Sequence, residues 1–301
     1  MIMKDKKLNI LVTGGNGQLG RCLRDASIGS RNRYVFSDVS DLPDLETVRL
    51  DICNPAAVDI VADSENIDVI VNCAGYTNVD KAEDETDFAN QLNHVAAANL
   101  ASTAKRRGAV LIHISTDYIF GGNAATPIPE DADPSPLGVY GATKLAGERS
   151  VKASACKHII IRTAWMYSKY GRNFARTMFN LTANHPQVKV VNDQTGTPTY
   201  GPDLARFIVG IIDGGMLNKT GTYNFTDEGV CSWYDFASEI CSLAGHQCKV
   251  TPCRTSDYPA KAKRPHYSVL DKSLVKATFG VTIPHWTEPL KECIELLKNE
   301  N

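Results

Sequence analysis

Tyr140 and Lys144 stand four residues apart in Tyr140-Gly-Ala-Thr-Lys144. On a helix that spacing puts a phenol and an ammonium on one face, about 5–6 Å apart. A free phenol titrates near pH ~10 and gives up its proton reluctantly at neutrality, but a neighbouring cation stabilises the phenolate. The chemistry suggested is proton donation by Tyr140, with Lys144 adjusting its acidity. In a chain of 301 residues with 11 tyrosines such a pair also arises by chance. Its meaning depends on the elements that position it.

Leu8-Asn-Ile-Leu-Val-Thr13 reads as a short buried strand and runs directly into Gly14-Gly-Asn-Gly17-Gln-Leu-Gly20 and a helical stretch. Glycines at 14, 17 and 20 allow a tight turn, close approach of backbone N–H groups to a pyrophosphate, and packing of a helix N-terminus on the strand. The next strand, Tyr34-Val-Phe-Ser-Asp38, ends in a carboxylate 18 positions after Gly20. An acid there suits a ribose 2′-hydroxyl and favours NAD over NADP, although Arg21, Arg31 or Arg33 could instead hold a 2′-phosphate. Asp51-Ile52 is a polar–apolar pair placed to flank an adenine. Asp68–Gly75, Ala109–Ser115 and His158–Trp165 read as further strands. Ligands of open parallel sheets bind outside the strand carboxyl ends, which places Thr116 to donate to a carbonyl and Trp165 to wall a sugar face.

Thr13–Gly20, Asn72-Cys-Ala-Gly75, Ser115-Thr-Asp-Tyr118 and Tyr140-x-x-x-Lys144 resemble, in that order, the extended short-chain dehydrogenase/reductase superfamily. Thr77–Glu83, Tyr140–Glu148, Arg162–Tyr167, Gly171–Phe174, Asn192–Thr199, Ser232–Ala237 and Arg264-Pro265 with Ser268 are similar, more narrowly, to its dTDP-4-dehydrorhamnose reductase family. The resemblance implies NADPH- or NADH-dependent reduction of the 4-keto group of a nucleotide sugar. Tyr140 then takes the acid position, Lys144 its partner, and Thr116 the hydroxyl that polarises the keto oxygen. Gly17, Gln18, Leu19, Asp38, Asp51, Ile52, Gly75, Tyr76 and Thr77 fall where the family holds its cofactor. Thr116, Asp117 and Trp165 fall on the sugar side. Arg264 matches a family stretch and is a candidate for diphosphate oxygens. Cys73 and Gly75 depart from the family's alanine run. The resemblance also suggests magnesium between the subunits of a homodimer, held by acids such as Glu288, Glu292 and Glu295; residue spacing alone predicts no metal site.

The expected fold is α/β: a doubly wound parallel Rossmann sheet over residues 1–165, with returning strands near 188–192 and 221–226. A smaller, interleaved C-terminal region, 166–301, mainly binds substrate. A net charge of −2 gives no basic face for nucleic acid. No apolar stretch is long enough for a membrane span. Nine cysteines without a C-x-x-C pair, and an opening Met1–Lys7 too polar for a leader, point to reduced thiols in a cytoplasm. Two rivals remain: a nucleotide-sugar epimerase of the same superfamily, and a non-catalytic cofactor-binding subunit resembling the regulatory subunit of methionine adenosyltransferase.

Overall fold

Six strands, β1 (Asn9–Thr13), β2 (Arg33–Asp38), β3 (Val48–Arg49), β4 (Val69–Asn72), β5 (Val110–Thr116) and β6 (Lys157–Thr163), join the edge strand Gly221–Asn224 in one sheet. Its order is Gly221–Asn224, β6, β5, β4, β1, β2, β3, and every pair is parallel. The structure, a computed structural model, describes residues 6–300. Met1–Asp5, the start of the segment read as too polar for a leader, lie outside the described residues.

The strands are apolar on both faces because helices cover both. Along β1, Ile10 and Val12 face one way and Leu11 the other, the two-residue period of a pleated strand. Ile10 and Val12 join β4, β5 and β6 residues under α1 (Gln18–Ala26) and the helix Gly201–Asp213. Leu11, Ile70, Leu111 and Ile160 pack under α2 (Pro55–Ser64), and under two later helices. After the short α3 (Val79–Ala82) and α4 (Thr86–Asn90) come those two, α5 (Ala96–Arg107) and α6 (Val139–Ala153). The chain leaves β1 toward β2 on one side while β4 lies on the other. The loops after β1 and β4 therefore part and open a crevice at the strand carboxyl ends.

The third core gathers Phe179, Phe236, Ile240, Trp286, Leu290 and Ile294 from the helices Phe174–Asn184, Trp233–Ala244 and Thr287–Lys298 and the segment between. One of the two expected returning strands belongs here instead. Gly221–Asn224 does return to the central sheet, filling the edge beside β6. Gln187–Val191 pairs in parallel with Lys249–Cys253 in a separate two-stranded sheet, with Val188, Val190 and Val250 packed on the third core. No helix among the described residues is long and apolar enough to cross a membrane.

α6 is fastened to β6 by a buried ion pair. Arg162 Nε and Nη2 donate to Glu148 Oε1 and Oε2 at 3.0 and 2.8 Å, and Arg162 Nη1 donates to the Glu130 carbonyl at 2.8 Å. The two side chains are 4% and 0% exposed. Burial alone would raise the Glu148 carboxyl, yet the guanidinium overrides it and holds the group below its ordinary range. Glu148→Ala would leave a buried cation without its partner, a loss of about 3–5 kcal/mol. We expect a denaturant midpoint lowered accordingly; a variant as stable as wild type would show that the pair does not hold the helix.

Candidate active site

A crevice of about 550 Å3 lies at the carboxyl ends of β1, β4, β5 and β6. Gly17, Gln18, Leu19, Gly75, Thr77, Thr116, Asp117, Tyr140, Lys144 and Trp165 all line it, although they come from widely separated parts of the chain.

The glycine loop is built for close approach. Gly14 sits at φ +67°, and a Cβ there would meet the Ala74 backbone N at 2.7 Å. A Cβ on Gly20 would stand 2.2 Å from the Gly14 carbonyl oxygen, so only glycine lets α1 begin this near β1. Gly17 caps α1 without a side-chain hydrogen bond, and the first turn holds no acidic residue. Its N–H groups and dipole are thus available to an anion. The loop fits a dinucleotide pyrophosphate on these grounds.

Asp38 closes the far side of the loop, accepting from the Asn16 N–H at 3.1 Å and from Ser40 N and Oγ at 3.1 and 2.9 Å. The arginine beside it is Arg24, not one of the three singled out in the sequence. Its Nε donates to the Gly15 carbonyl at 3.2 Å, Nη2 to Thr47 Oγ1 at 3.0 Å, and its guanidinium lies 4.2 Å from the Phe36 ring centroid. Arg21 lies over Tyr170 and Arg33 pairs with Glu65. Arg24 falls one helical turn after Gly20, the signal that would have found it.

Several expected cofactor contacts lie off the crevice. Asp51 is exposed and accepts from the Cys53 N–H at 2.9 Å. Ile52 is buried in the core beneath α2 and α5. Tyr76 turns its hydroxyl to Glu85 at 2.6 Å. Its backbone is held by Asn93, a buried amide that the sequence reading missed. Asn93 Oδ1 accepts from Tyr76 N at 2.8 Å, while Nδ2 donates to the Tyr76 carbonyl and to Thr143 Oγ1, both at 3.1 Å. Asn93 thereby joins the loop after β4 to the helix that carries Tyr140.

Thr116 ends β5, its Oγ1 donating to Asp117 Oδ1 at 3.1 Å and accepting from Tyr118 N at 3.2 Å. Burial pushes the Asp117 carboxyl up to about 6, against hydrogen bonds from Ser268 and Thr116. Burial likewise pushes the Tyr140 phenol up to about 12; Thr116 pulls it down and Asp117 pushes it further up. Burial lowers Lys144 to about 8, opposed by Glu148, and its Nζ donates to the Ile114 carbonyl at 2.6 Å. The sequence expects the ammonium to acidify the phenol. Here the ammonium donates to a carbonyl, and burial is the largest influence on both groups.

Trp165 adopts φ +48°, a costly conformation for a bulky residue, and its ring stacks on Trp233 at 3.5 Å between centroids and 11° between planes. Arg264 lies outside the crevice, on a neighbouring cavity of about 310 Å3 lined by Phe174, Met178, Trp233 and Tyr258. Tyr118 and Trp233 line both spaces. Glu292 accepts from the Tyr200 hydroxyl at 3.2 Å. Among the described residues, Glu288, Glu292 and Glu295 included, no group of three or more His, Cys, Asp or Glu side chains is arranged to hold a metal ion.

A family model described as the RmlD substrate binding domain matches residues 8–299. The chain belongs to this family. A dTDP-4-dehydrorhamnose reductase from Aggregatibacter actinomycetemcomitans is 38% identical over 291 residues, 94% of this chain and 97% of the relative. A crystal structure of such a reductase from Clostridium acetobutylicum superposes with a TM-score of 0.90 at 45% identity, over 97% of this chain and all of that one. One from Bacillus anthracis, in complex with NADP, gives 0.89 at 36% identity, with 97% and 100% covered. The family assignment thus spans the crevice, the second cavity and the helices around them.

Desolvation of Lys144 has a measurable consequence. The folded chain releases this proton near pH 8 and the unfolded chain near 10.5, so between those values the unfolded chain binds more protons and stability rises with pH. The full rise is about 3 kcal/mol. Lys144→Met cannot titrate, and urea unfolding from pH 8 to 10.5 should show wild type gaining on the variant by that order. Parallel stability profiles would contradict a desolvated ammonium.

Proposed function

We propose that this protein reduces the 4-keto group of dTDP-4-dehydro-L-rhamnose to give dTDP-L-rhamnose, using NADPH or NADH. The observation that carries the reading is the convergence of Thr116, Tyr140 and Lys144 on the same crevice as Gly17–Leu19, Gly75 and Thr77, in a chain of this family. When bound, the reduced nicotinamide supplies the hydride. Tyr140 donates the proton to the keto oxygen, and Thr116 polarises that oxygen beforehand. A phenol held near 12 keeps its proton until an oxygen gaining negative charge takes it. Lys144, still mostly protonated at pH 7, supplies the positive charge of the crevice floor.

Gly14, Gly17, Gly20 and the N-terminus of α1 would hold the pyrophosphate, with Gln18, Leu19, Gly75 and Thr77 forming the adjoining walls. Asp38 suits a ribose 2′-hydroxyl and Arg24 a 2′-phosphate, so both dinucleotides are included. Asp117 and Trp165 would meet the sugar. Tyr118, common to both spaces, leads to the second cavity, whose aromatic walls suit a nucleoside base and whose edge carries Arg264. Residues 1–165 thus serve mainly the dinucleotide and 166–301 mainly the nucleotide sugar. A cytoplasmic location fits the nine free cysteines. A homodimer is part of the same reading on family resemblance.

Net consumption of reduced cofactor with the keto-sugar supports the reductase; isomerisation without consumption would support an epimerase. The complete Thr116, Tyr140 and Lys144 set favours chemistry over an adaptor role. Tyr140→Phe should lower turnover by about 10²–10⁴-fold, the usual worth of general acid catalysis, with cofactor affinity nearly unchanged. A Phe variant turning over at the wild-type rate would remove Tyr140 from the mechanism.

A further inference from the structure

The segment from Arg254 to Ser268 forms one wall of the second cavity through Thr255, Tyr258, Ala260 and Arg264. Both of its ends are clamped to a single stretch. Thr255 N donates to both Asp193 carboxylate oxygens at 2.9 and 3.1 Å, while the Thr195 N–H donates to the His266 carbonyl at 2.7 Å and Ser268 N to the Thr195 carbonyl at 2.8 Å. Between these clamps the strap is tied, among the described residues, to the dinucleotide side of the molecule. Arg264 Nη1 and Nη2 fork onto Asp80 Oδ1 and Oδ2 at 3.1 and 2.6 Å. Asp80 Oδ1 also accepts from the Ala262 N–H at 3.0 Å, and Lys261 pairs with Asp84.

Asp80 belongs to α3, which begins two residues after Thr77, and both Thr77 and Val79 line the main crevice. The Asp80 fork and a further bond from Nη1 to the Ala262 carbonyl at 3.1 Å take three of the five N–H donors of Arg264 and hold its guanidinium against α3. We propose that Asp80 is a positioning residue: it latches Arg264 so that the strap stands as a formed wall of the nucleotide cavity before the nucleotide sugar arrives. Arg264 then acts through the wall and not as a ligand of phosphate oxygens. The inference rests on the nucleotide-sugar reading of the cavity. It adds a link between the loop after β4 and the affinity for the nucleotide, because a wall ordered in advance lowers the cost of binding.

The two roles of Arg264 predict opposite behaviour in D80A. If Asp80 is the latch, D80A raises the KM for the keto-sugar nucleotide and the Kd for dTDP on the order of tenfold, the scale of a lost charge-assisted fork. The kcat and the cofactor Kd stay close to wild type. R264A raises the dTDP Kd by a similar factor, and the double variant is no worse than either single one. If Arg264 is a phosphate ligand, D80A releases the fork and dTDP binding is unchanged or tighter, which overturns the proposal. Titration of the tryptophan fluorescence with dTDP reads the affinity without turnover, and hydrogen exchange over residues 254–268 reads the latch itself. Faster strap exchange in D80A together with weaker dTDP binding supports the proposal; faster exchange with unchanged dTDP binding, or unchanged exchange, overturns it. Wild-type protein that binds no dTDP would instead sink the nucleotide-sugar reading, and strap exchange in D80A would then decide the latch alone.

Discussion

The crevice depends on placing two ionisable groups of one helix in a poorly solvated floor and keeping them there. Tyr140, Lys144 and Glu148 follow one another at four-residue intervals, so a single face of α6 carries the proposed acid, the cation and a structural carboxylate. Glu148 is locked to Arg162 of β6, and Arg162 in turn donates to the Glu130 carbonyl. At the other end of the helix, Glu83 Oε1 accepts from the Val139 N–H at 2.8 Å, one residue before Tyr140. A helix pinned at its first turn and at its third has little freedom to turn its reactive face from the strand ends. The buried ion pair is therefore as much an aiming device as a contribution to stability.

Desolvation sets the resting chemistry of that floor. It holds the phenol near 12 and the ammonium near 8, each displaced toward its neutral form. Releasing the Tyr140 proton at pH 7 from such a state costs about 7 kcal/mol, more than the roughly 4 kcal/mol for a phenol in water. The buried phenol is thus a weaker acid than one in water. Thr116, whose hydroxyl donates to Asp117 at the end of β5, lines the same crevice.

Much of this was legible in the residues because it is local. The strand–glycine–helix run at the N-terminus, the carboxylate ending β2 and the Tyr140–Lys144 spacing are each written in a few consecutive positions, and the strand ends bring them together by topology alone. What stayed hidden is long-range. Asn93 bridges Tyr76 and Thr143 from a π-helical turn with no motif of its own. Asp80 reaches Arg264 across 184 positions. Gln187–Val191 has the apolar character of a sheet strand, but the free edge beside β6 is filled by Gly221–Asn224, and periodicity cannot say which of two candidates takes an edge. The Tyr140–Lys144 spacing carries no information on burial: the Ile114 carbonyl accepts from the ammonium, and desolvation is the largest influence on the phenol.

The proposed reaction brings a hydride and a proton to one carbonyl in a single net reduction. Product analysis after incubation with dTDP-4-dehydro-L-rhamnose and a dihydronicotinamide dinucleotide carrying two deuteriums on its fourth ring carbon decides this. One deuterium is expected at carbon 4 of the product sugar for each cofactor oxidised. Unlabelled product, or a rearranged keto-sugar formed with no cofactor consumed, would contradict it.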